Sequence, residues 1–477
     1  VTAVDDALWT RLARPVQTVR FSTLLGATAV GVYLLIVLGA TTSIARATQA
    51  CKSWPSCHGQ YLAIDSASLA IVWGHRLTAL VVGLLMVVLT ARAWLDEQVR
   101  PRVRVILLVV LGLYPIQIAV GAVAATTALL PVVSTVHLLL AMGIFAGLVL
   151  ALAWSLERQT AAEGSQPAST AGPPTPRETG PSSDAPVAPE GALDTARAYF
   201  TLMKPRLMWL LCLVASAGMA LAAGPSLTLE TAGYTLLGGV LSIGASGTFN
   251  NVLERDVDRK MDRTADRPVA QSTVPVRNAF AFGCALGAAS VVVFLQVNLL
   301  AAALGLAAIL YYSVIYTLVL KPNTVQNTVL GGLAGSLPAL IGWAAVTNTI
   351  GVGGLALAGV IFCWTPAHFY NLALAYRDDY ARGGFPMLPV VRGDAVTRKH
   401  ILYYLGATLL AAAVLTATTQ LGALYAVTVV SFGALFLFAA IRLHYVQTES
   451  AALHTFHASN AFLGAMLLAV VLDTLLV

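Results

Sequence analysis

Asn250, Glu254 and Asp258 stand at i, i+4 and i+8, so on a helix they share one face. Carboxylates stacked in this way repel one another unless a cation lies between them. One or two carboxylates plus a substrate phosphate is the usual way Mg²⁺ is held. The three residues open the string NNVLERDVDRKMDRTADRP (250–268), which also carries Asp256, Asp262 and Asp266. Interleaved with them, Arg255, Arg259, Lys260, Arg263 and Arg267 are placed to neutralise a diphosphate. A second acidic loop, AYRDDYARGGFPMLPVVRG (375–393), sets Asp378 and Asp379 beside Arg377 and Arg382. The plain alternative is a solvated loop laced with its own ion pairs. A full carboxylate stripe that starts from an Asn where an apolar run ends, matched by a second acidic loop, weighs against it.

The elements that must position these loops are membrane helices. Of 477 residues, 58% are hydrophobic and 10% charged, with mean hydropathy +0.78. Soluble proteins carry roughly 25% charged residues, so disordered, nucleic-acid-binding and ordinary cytosolic classes are excluded. Thirteen apolar runs are long enough to cross a bilayer as helices: near 22–44, 69–91, 103–127, 132–155, 207–224, 232–250, 278–297, 299–319, 328–346, 351–374, 402–419, 421–441 and 457–477. The expected fold is all-α and polytopic, a four-helix bundle followed by a nine-helix bundle. Residues 157–197, rich in Pro, Ser and Gly, read as a disordered linker between a module at 1–156 and one at 198–477.

With the amino terminus inside, 25 of the 28 basic residues fall on one side; Arg46, Lys52 and Arg76 are the exceptions. The net charge of +6 therefore reads as orientation and phosphate handling, not nucleic acid. Arg11 and Arg14 belong to the inner amino-terminal segment. The first apolar run begins after 20 polar or mixed residues and is too long for the core of a cleavable signal. The expected setting is the cell membrane of a prokaryote, with both acidic loops cytoplasmic and the carboxy terminus outside. Seven of the 22 acids crowd into 254–266 and 378–379. A transporter would instead keep such groups at mid-membrane.

The amino-terminal module holds two membrane histidines, His75 and His137, each about six residues (~9 Å) inside the outer end of its span. Equal depth on two helices of the same direction suits bis-His ligation of a haem, with Arg76 able to meet a propionate. A lone membrane His is more often a hydrogen-bonded packing residue. In the outer loop CKSWPSCHG, Cys51 and Cys57 suit a small disulfide loop. A metal site using both with His58 is the weaker alternative. Cys212, Cys284 and Cys363 read as packing residues.

The strings NNVLERDVDRKMDRTADRP, YTLVLKPNTVQNTVLGGLAGSLPALIGW and TPAHFYNLALAYRDDYARGGFPMLPVV resemble the UbiA superfamily of intramembrane prenyltransferases over about 200–477. Within it they resemble the haem O synthase branch, the protoheme IX farnesyltransferases. That resemblance implies nine spans and two Asp-rich motifs facing the cytoplasm. Asn250, Glu254 and Asp258 match the first motif, with Glu254 where Asp is usual, and Asp379 matches the acid of the second. Lys321 and the Arg263–Thr264 pair match further family positions, whereas Pro322 stands where a base is common. The implied roles are Mg²⁺ ligation by Asn250, Glu254, Asp258, Asp378 and Asp379, and diphosphate binding by Arg255, Arg259, Lys260, Arg263, Arg267, Lys321 and Arg377.

The implied reaction draws the diphosphate off farnesyl diphosphate, lets the vinyl group of haem b attack the allylic cation, and quenches the product cation with water to give haem O. Tyr311, Tyr312, Tyr316, Trp343 and Phe369 are candidates to shield a cation, though each alone is more often a packing residue. For His368, haem contact and a structural hydrogen bond stand equal. Membrane lipid, haem and terminal oxidase assembly proteins are the expected partners. A different acceptor for the same chemistry is the alternative.

The strings CKSWPSCHG, WGHRLTAL and STVHLLLAMG resemble one half of the haem A synthase family over about 20–155. In the catalytic half of that family a Glu lies three residues before the first ligating His; here Val72 occupies the position. The implied role is haem binding without methyl oxidation, against the alternatives of a bifunctional chain that also makes haem A and of a docking domain without cofactor.

Overall fold

Long apolar helices separated by polar breaks make up most of the described residues. The computed structural model describes residues 20–44, 51–57, 59–61, 66–127, 131–164, 191–419 and 421–476. Arg11, Arg14, Arg46, His58 and linker residues 165–190 lie outside the described residues. Among the described residues there is no strand, and thirteen helices are long and apolar enough to cross a membrane. The chain divides into two units, Val1–Ala162 and Glu163–Val477.

The first unit contains α1 (Phe21–Ile44), α2 (Ala67–Leu95), α3 (Pro101–Thr126) and α4 (Pro131–Gly164). Ser66 caps α2 by accepting from the Leu69 N–H at 3.3 Å, and Pro101 occupies the first turn of α3, where its missing N–H costs nothing. Leu25, Ala29, Val32, Tyr33 and Ile36 repeat at helical spacing on α1 and are buried, as are Val82, Met86, Leu89 and Ala93 on α2. The Tyr33 and Phe145 rings meet at 5.4 Å.

The second unit starts with the short helix α5 (Ala192–Leu202). Nine spanning helices follow: α6 (Pro205–Ala223), α7 (Leu229–Leu253), α8 (Val276–Leu295), α9 (Leu299–Leu310), α10 (Asn327–Thr347), α11 (Val352–Ala375), α12 (Asp394–Thr418), α13 (Ala423–Tyr445) and α14 (Glu449–Leu476). α9 runs on through a π-helical stretch, Tyr311–Leu320, to Asn323. α14 returns against α6, which closes the bundle, and α10 packs on both α6 and α11.

Several ends differ from the apolar runs. The fourth helix continues to Gly164 and α5 begins at Ala192, so both edges of the segment read as linker are helical. α12 starts at Asp394 and α14 at Glu449, each eight residues before its apolar run. Polar residues that extend a helix into the interface are invisible to an apolar window.

With lipid on one side and protein on the other, burial of apolar surface does not hold membrane helices together; close packing does. α6 and α10 meet through glycine. A Cβ on Gly342 would run into the Ala215 carbonyl, and one on Gly218 would lie 2.5 Å from Ala339 O. Gly359 on α11, by contrast, faces open space. Gly342→Ala should therefore destabilise the protein by about 1–3 kcal/mol through overpacking, while Gly359→Ala should be neutral or gain up to about 1 kcal/mol of helix propensity. Thermal unfolding of the two variants in detergent reads the difference, and equal melting temperatures would contradict the close approach.

Candidate functional site

The acidic stripe starts on α7 but is not one continuous helix. α7 ends at Leu253, Glu254 leaves helical geometry at φ −97°, ψ 4°, and a single turn, Arg255–Asp258, follows. Asn250, Glu254 and Asp258 nevertheless stay on one buried wall, each no more than 5% exposed. Ionised carboxylates at such burial cost several kcal/mol each unless paired and hydrogen-bonded.

Three cations from three different elements meet that cost. Lys321, just past the π-helical stretch, donates to Glu254 Oε1 at 2.6 Å. Arg267 Nη1 donates to both Asp258 oxygens at 2.9 and 2.7 Å and lies 3.9 Å from Glu254. Lys204 donates to Asn250 Oδ1. Each depends on a local backbone device. Lys204 adopts a left-handed φ of 56° between α5 and α6. Gly247 admits that connection, since a Cβ there would be 3.0 Å from Leu202 O. In the π-helical stretch, Thr317 Oγ1 donates five residues back to Tyr312 O at 2.8 Å and accepts from Asn250 Nδ2 at 3.1 Å. The altered register brings Thr317 and Lys321 to one wall.

The electrostatics follow from burial and neighbours. Burial pushes the Glu254 carboxyl up, but Lys321, Lys204 and Arg267 outweigh it and hold it below its ordinary value. Burial wins at Asp258, which stays raised despite Arg267. Burial, with Arg267 and Lys321 nearby, holds Lys204 down to about 7 against the opposing pull of Glu254 and Asp258.

The second acidic loop is a roof tied to the first. Asp379 Oδ1 accepts the Asp262 N–H at 2.7 Å and Oδ2 the Arg263 N–H at 3.2 Å. Arg382 donates to Asp379 and to Asp262, both at 2.6 Å. Met261, Ala373, Tyr380, Phe385 and Met387 pack beneath as one apolar cluster, and Lys321 Nζ lies 4.2 Å from the centre of the Phe385 ring. Asp379 thus has both oxygens engaged by protein donors, and Asp378 is exposed.

Other residues singled out from sequence lie elsewhere. Arg255 and Arg259 pair with Asp256, and Arg259 also donates to Ala270 O at 2.7 Å. Lys260 is exposed. Arg263 lies over the Tyr376 and Tyr380 rings, and Arg377 pairs with Asp394 at 3.2 Å. Among the aromatics, Tyr312 stacks on Tyr316 with centroids 5.5 Å apart and lies beneath Lys204 Nζ. Tyr311 turns away to donate to Leu330 O. Trp343 fills a slot formed by Gly351, Gly353 and Gly354. His368 is sandwiched between Trp364 and Phe456, each at 4.2 Å, with Nδ1 2.6 Å from Ser459 Oγ, and Phe369 meets its edge. Lys204 and Thr317 carry no sequence signature of this role beyond a lone Lys ahead of Pro205.

In the first unit, Cys51 and Cys57 are joined as a disulfide. Arg76 donates to Pro55 O and Ser53 O, each at 2.9 Å, and to both sulfurs at 3.4 Å. It therefore holds the disulfide loop where a propionate contact was expected. His75 and His137 are framed by glycines on neighbouring helices: a Cβ on Gly39 would lie 3.5 Å from His75 Cε1, and one on Gly121 2.8 Å from His137 Cε1. The Nδ1 atoms of both are buried without a hydrogen-bond partner, and His137 Nε2 lies 3.3 Å from Gln117 Nε2.

Among the described residues no three His, Cys, Asp or Glu side chains converge as a ready-made metal cage. Asn250, Glu254 and Asp258 offer the few oxygens Mg²⁺ takes from protein, and Lys204, Lys321 and Arg267 would have to yield their contacts to such an ion.

A closed bundle of nine spans with a carboxylate–cation cluster at its end defines a class. The model of the UbiA prenyltransferase family matches residues 210–466, and the chain belongs to that family. Residues 22–175 match the model described as cytochrome oxidase assembly protein. Two relatives match almost end to end. The protoheme IX farnesyltransferase of Haloarcula marismortui is 58% identical over 95% of this chain and 98% of its own. That of Halobacterium salinarum is 57% identical over 96% of this chain and 98% of its own. A digeranylgeranylglyceryl phosphate synthase structure shares the fold, with TM-score 0.51 and 13% identity over 60% of this chain and all of that one. The protein is a multi-pass membrane prenyltransferase.

The lowered Lys204 value makes a signed prediction. Folded Lys204 releases its proton near pH 7 and the unfolded side chain near 10.5. Between those limits the unfolded state binds the extra proton, so this residue's contribution to stability rises with pH and then levels off. The stability of wild type relative to Lys204→Met in detergent should therefore climb from pH 7 to 10.5. A difference independent of pH would contradict the burial.

Proposed function

We propose that the carboxy-terminal unit transfers a farnesyl group from farnesyl diphosphate to a vinyl group of protoheme IX. The observation that carries the reading is the cluster of Glu254 and Asp258 with Lys204, Lys321 and Arg267. Lys321 and Arg267 balance the two carboxylates, and Lys204, when protonated, adds a positive charge beside them. Arg267 and Lys321 can exchange part of their carboxylate contacts for phosphate oxygens as negative charge develops on the leaving group. Mg²⁺, when bound, supplies further stabilisation of that charge. Asn250, Glu254 and Asp258 would hold it. Asp379 acts here by fixing the 258–268 loop, so that Asp258 and Arg267 keep their places. The Tyr312–Tyr316 stack beside Lys204 offers aromatic faces to the allylic cation. The near end-to-end likeness to two protoheme IX farnesyltransferases supports the donor and the acceptor.

For the amino-terminal unit the reading is a haem site between His75 and His137. The glycines facing both rings and their unpartnered buried Nδ1 atoms support it. Val72 stands where a catalytic acid would be, so binding without oxidation is favoured. The charge partition supports a cell-membrane protein with the prenyltransferase cluster on the cytoplasmic side.

Purified protein given haem b, farnesyl diphosphate and Mg²⁺ should yield haem O by mass spectrometry. Asp258→Ala should lose at least about 10²-fold of that turnover, the scale of removing one such electrostatic group, and near-normal turnover would remove Asp258 from the reaction. For the first unit, the full-length protein should show a Soret band that loses the amino-terminal contribution in His75→Ala. An unchanged spectrum in that variant would favour a docking domain.

A further inference from the structure

The bundle contains a second buried guanidinium that the diphosphate cluster does not use. Arg398, in the second turn of α12, is 3% exposed, and its Nε and Nη2 have no hydrogen-bond partner. Those two nitrogens lie along one edge of the guanidinium and present parallel N–H groups, the fork that a carboxylate accepts bidentately. Two titratable neighbours interact with it electrostatically, Asp394 one turn earlier and His444 at the end of α13.

Neither neighbour hydrogen-bonds it: Asp394 lends its negative charge from one turn away but is committed to a second guanidinium. Asp394 gives Oδ2 to Arg377 at 3.2 Å and leaves Oδ1 without a partner. Were it to turn onto Arg398, one carboxylate would be shared by two guanidinium groups. His444 is 1% exposed and donates from Nδ1 to Ala440 O at 2.9 Å, which in the neutral ring leaves Nε2 as an acceptor, here unpartnered. A guanidinium cannot escape burial by losing its proton, and an unpaired buried charge is strongly unfavourable. The arrangement calls for an anion from outside the chain.

We propose that Arg398 is the seat of a carboxylate and that its occupant is a propionate of the haem acceptor. This rests on the acceptor assigned above. Position favours that source over a lipid headgroup. Arg398 lies inside the helix bundle with no accessible Nε or Nη2, whereas Arg442 at the end of α13 is exposed and better suited to lipid phosphate. The site is also coupled to the reaction end of the fold. Arg377, which pairs with Asp394, is two residues from Asp379, the strut that ties the two acidic loops together. Holding a propionate there would orient the porphyrin by the side opposite its vinyl groups.

The test separates acid from ester. In the purified full-length protein, Arg398→Gln should raise KM for haem b about tenfold or more, the worth of a hydrogen bond to a charged group. KM for farnesyl diphosphate and kcat should change less than about twofold, and Arg398→Lys, which keeps the charge but lacks the fork, should recover only part of the loss. Wild type should prefer protoheme IX to its dimethyl ester by a similar factor, and Arg398→Gln should not distinguish the two. A variant that discriminates acid from ester as wild type does would overturn the proposal. So would an Arg398→Gln defect that disappears in vesicles lacking anionic lipid, which would assign the site to a headgroup. If Arg398→Gln does not fold, wild type alone decides, because equal use of acid and ester overturns the proposal. A wild type that forms no prenylated haem refutes the proposed reaction instead. Absorbance titration of the His75→Ala protein with haem b and its ester then still tests the site, and equal affinity would overturn it.

Discussion

Glu254 is a carboxylate buried where a bundle of membrane helices ends, and much of the second unit's construction serves to keep it charged. Its partner Lys321 reaches it because α9 changes to π-helical register before Lys321. Arg267 reaches Asp258 because the chain turns back after Met261 and is pinned there by Asp379. Lys204 reaches Asn250 because Gly247 lets the α5–α6 connection lie against α7. Remove Lys321 or Arg267 and a carboxylate is left buried and unpaired, at a cost of about 3–5 kcal/mol. The same economy makes the cluster reactive. Lys321 and Arg267 are held by carboxylates in an already desolvated site, so they can turn to an arriving diphosphate without first being desolvated.

Much of the fold was legible in the sequence, because a membrane helix must satisfy its own backbone and therefore writes a long apolar run. All thirteen spans are of that kind. What an apolar window misses are the polar ends. The first turns of α12 carry Asp394 and Arg398, and the first turns of α14 begin at Glu449. The composition of residues 157–197 marks a break in the apolar pattern, while helix continues into both edges of that stretch.

The site was legible only along α7. The i, i+4, i+8 spacing put Asn250, Glu254 and Asp258 on one wall even though the helix breaks at Glu254. Helical periodicity also separates Arg255 and Arg259 from that wall, and they pair with Asp256 instead. The cations that meet this wall come from 46, 67 and 9 residues away from their partners Asn250, Glu254 and Asp258. Their approach rests on a left-handed Lys204, a π-helical register and a loop fold, none of which a linear pattern encodes. The second motif was visible as acidic residues, but the use of Asp379 as a strut between loops 117 residues apart is a tertiary fact. In the first unit only the equal depth of His75 and His137 could be read from the sequence. The placement of Arg76 on the disulfide loop was not, since the sequence offers no sign of which neighbour its five donors choose.

The central claim is that the Glu254–Asp258 cluster is built to receive a diphosphate. Isothermal titration of the purified protein with inorganic diphosphate tests it most directly. Binding that strengthens with Mg²⁺ and weakens about tenfold or more in Arg267→Gln is the expected result. Diphosphate affinity indifferent to both Mg²⁺ and Arg267 would contradict it.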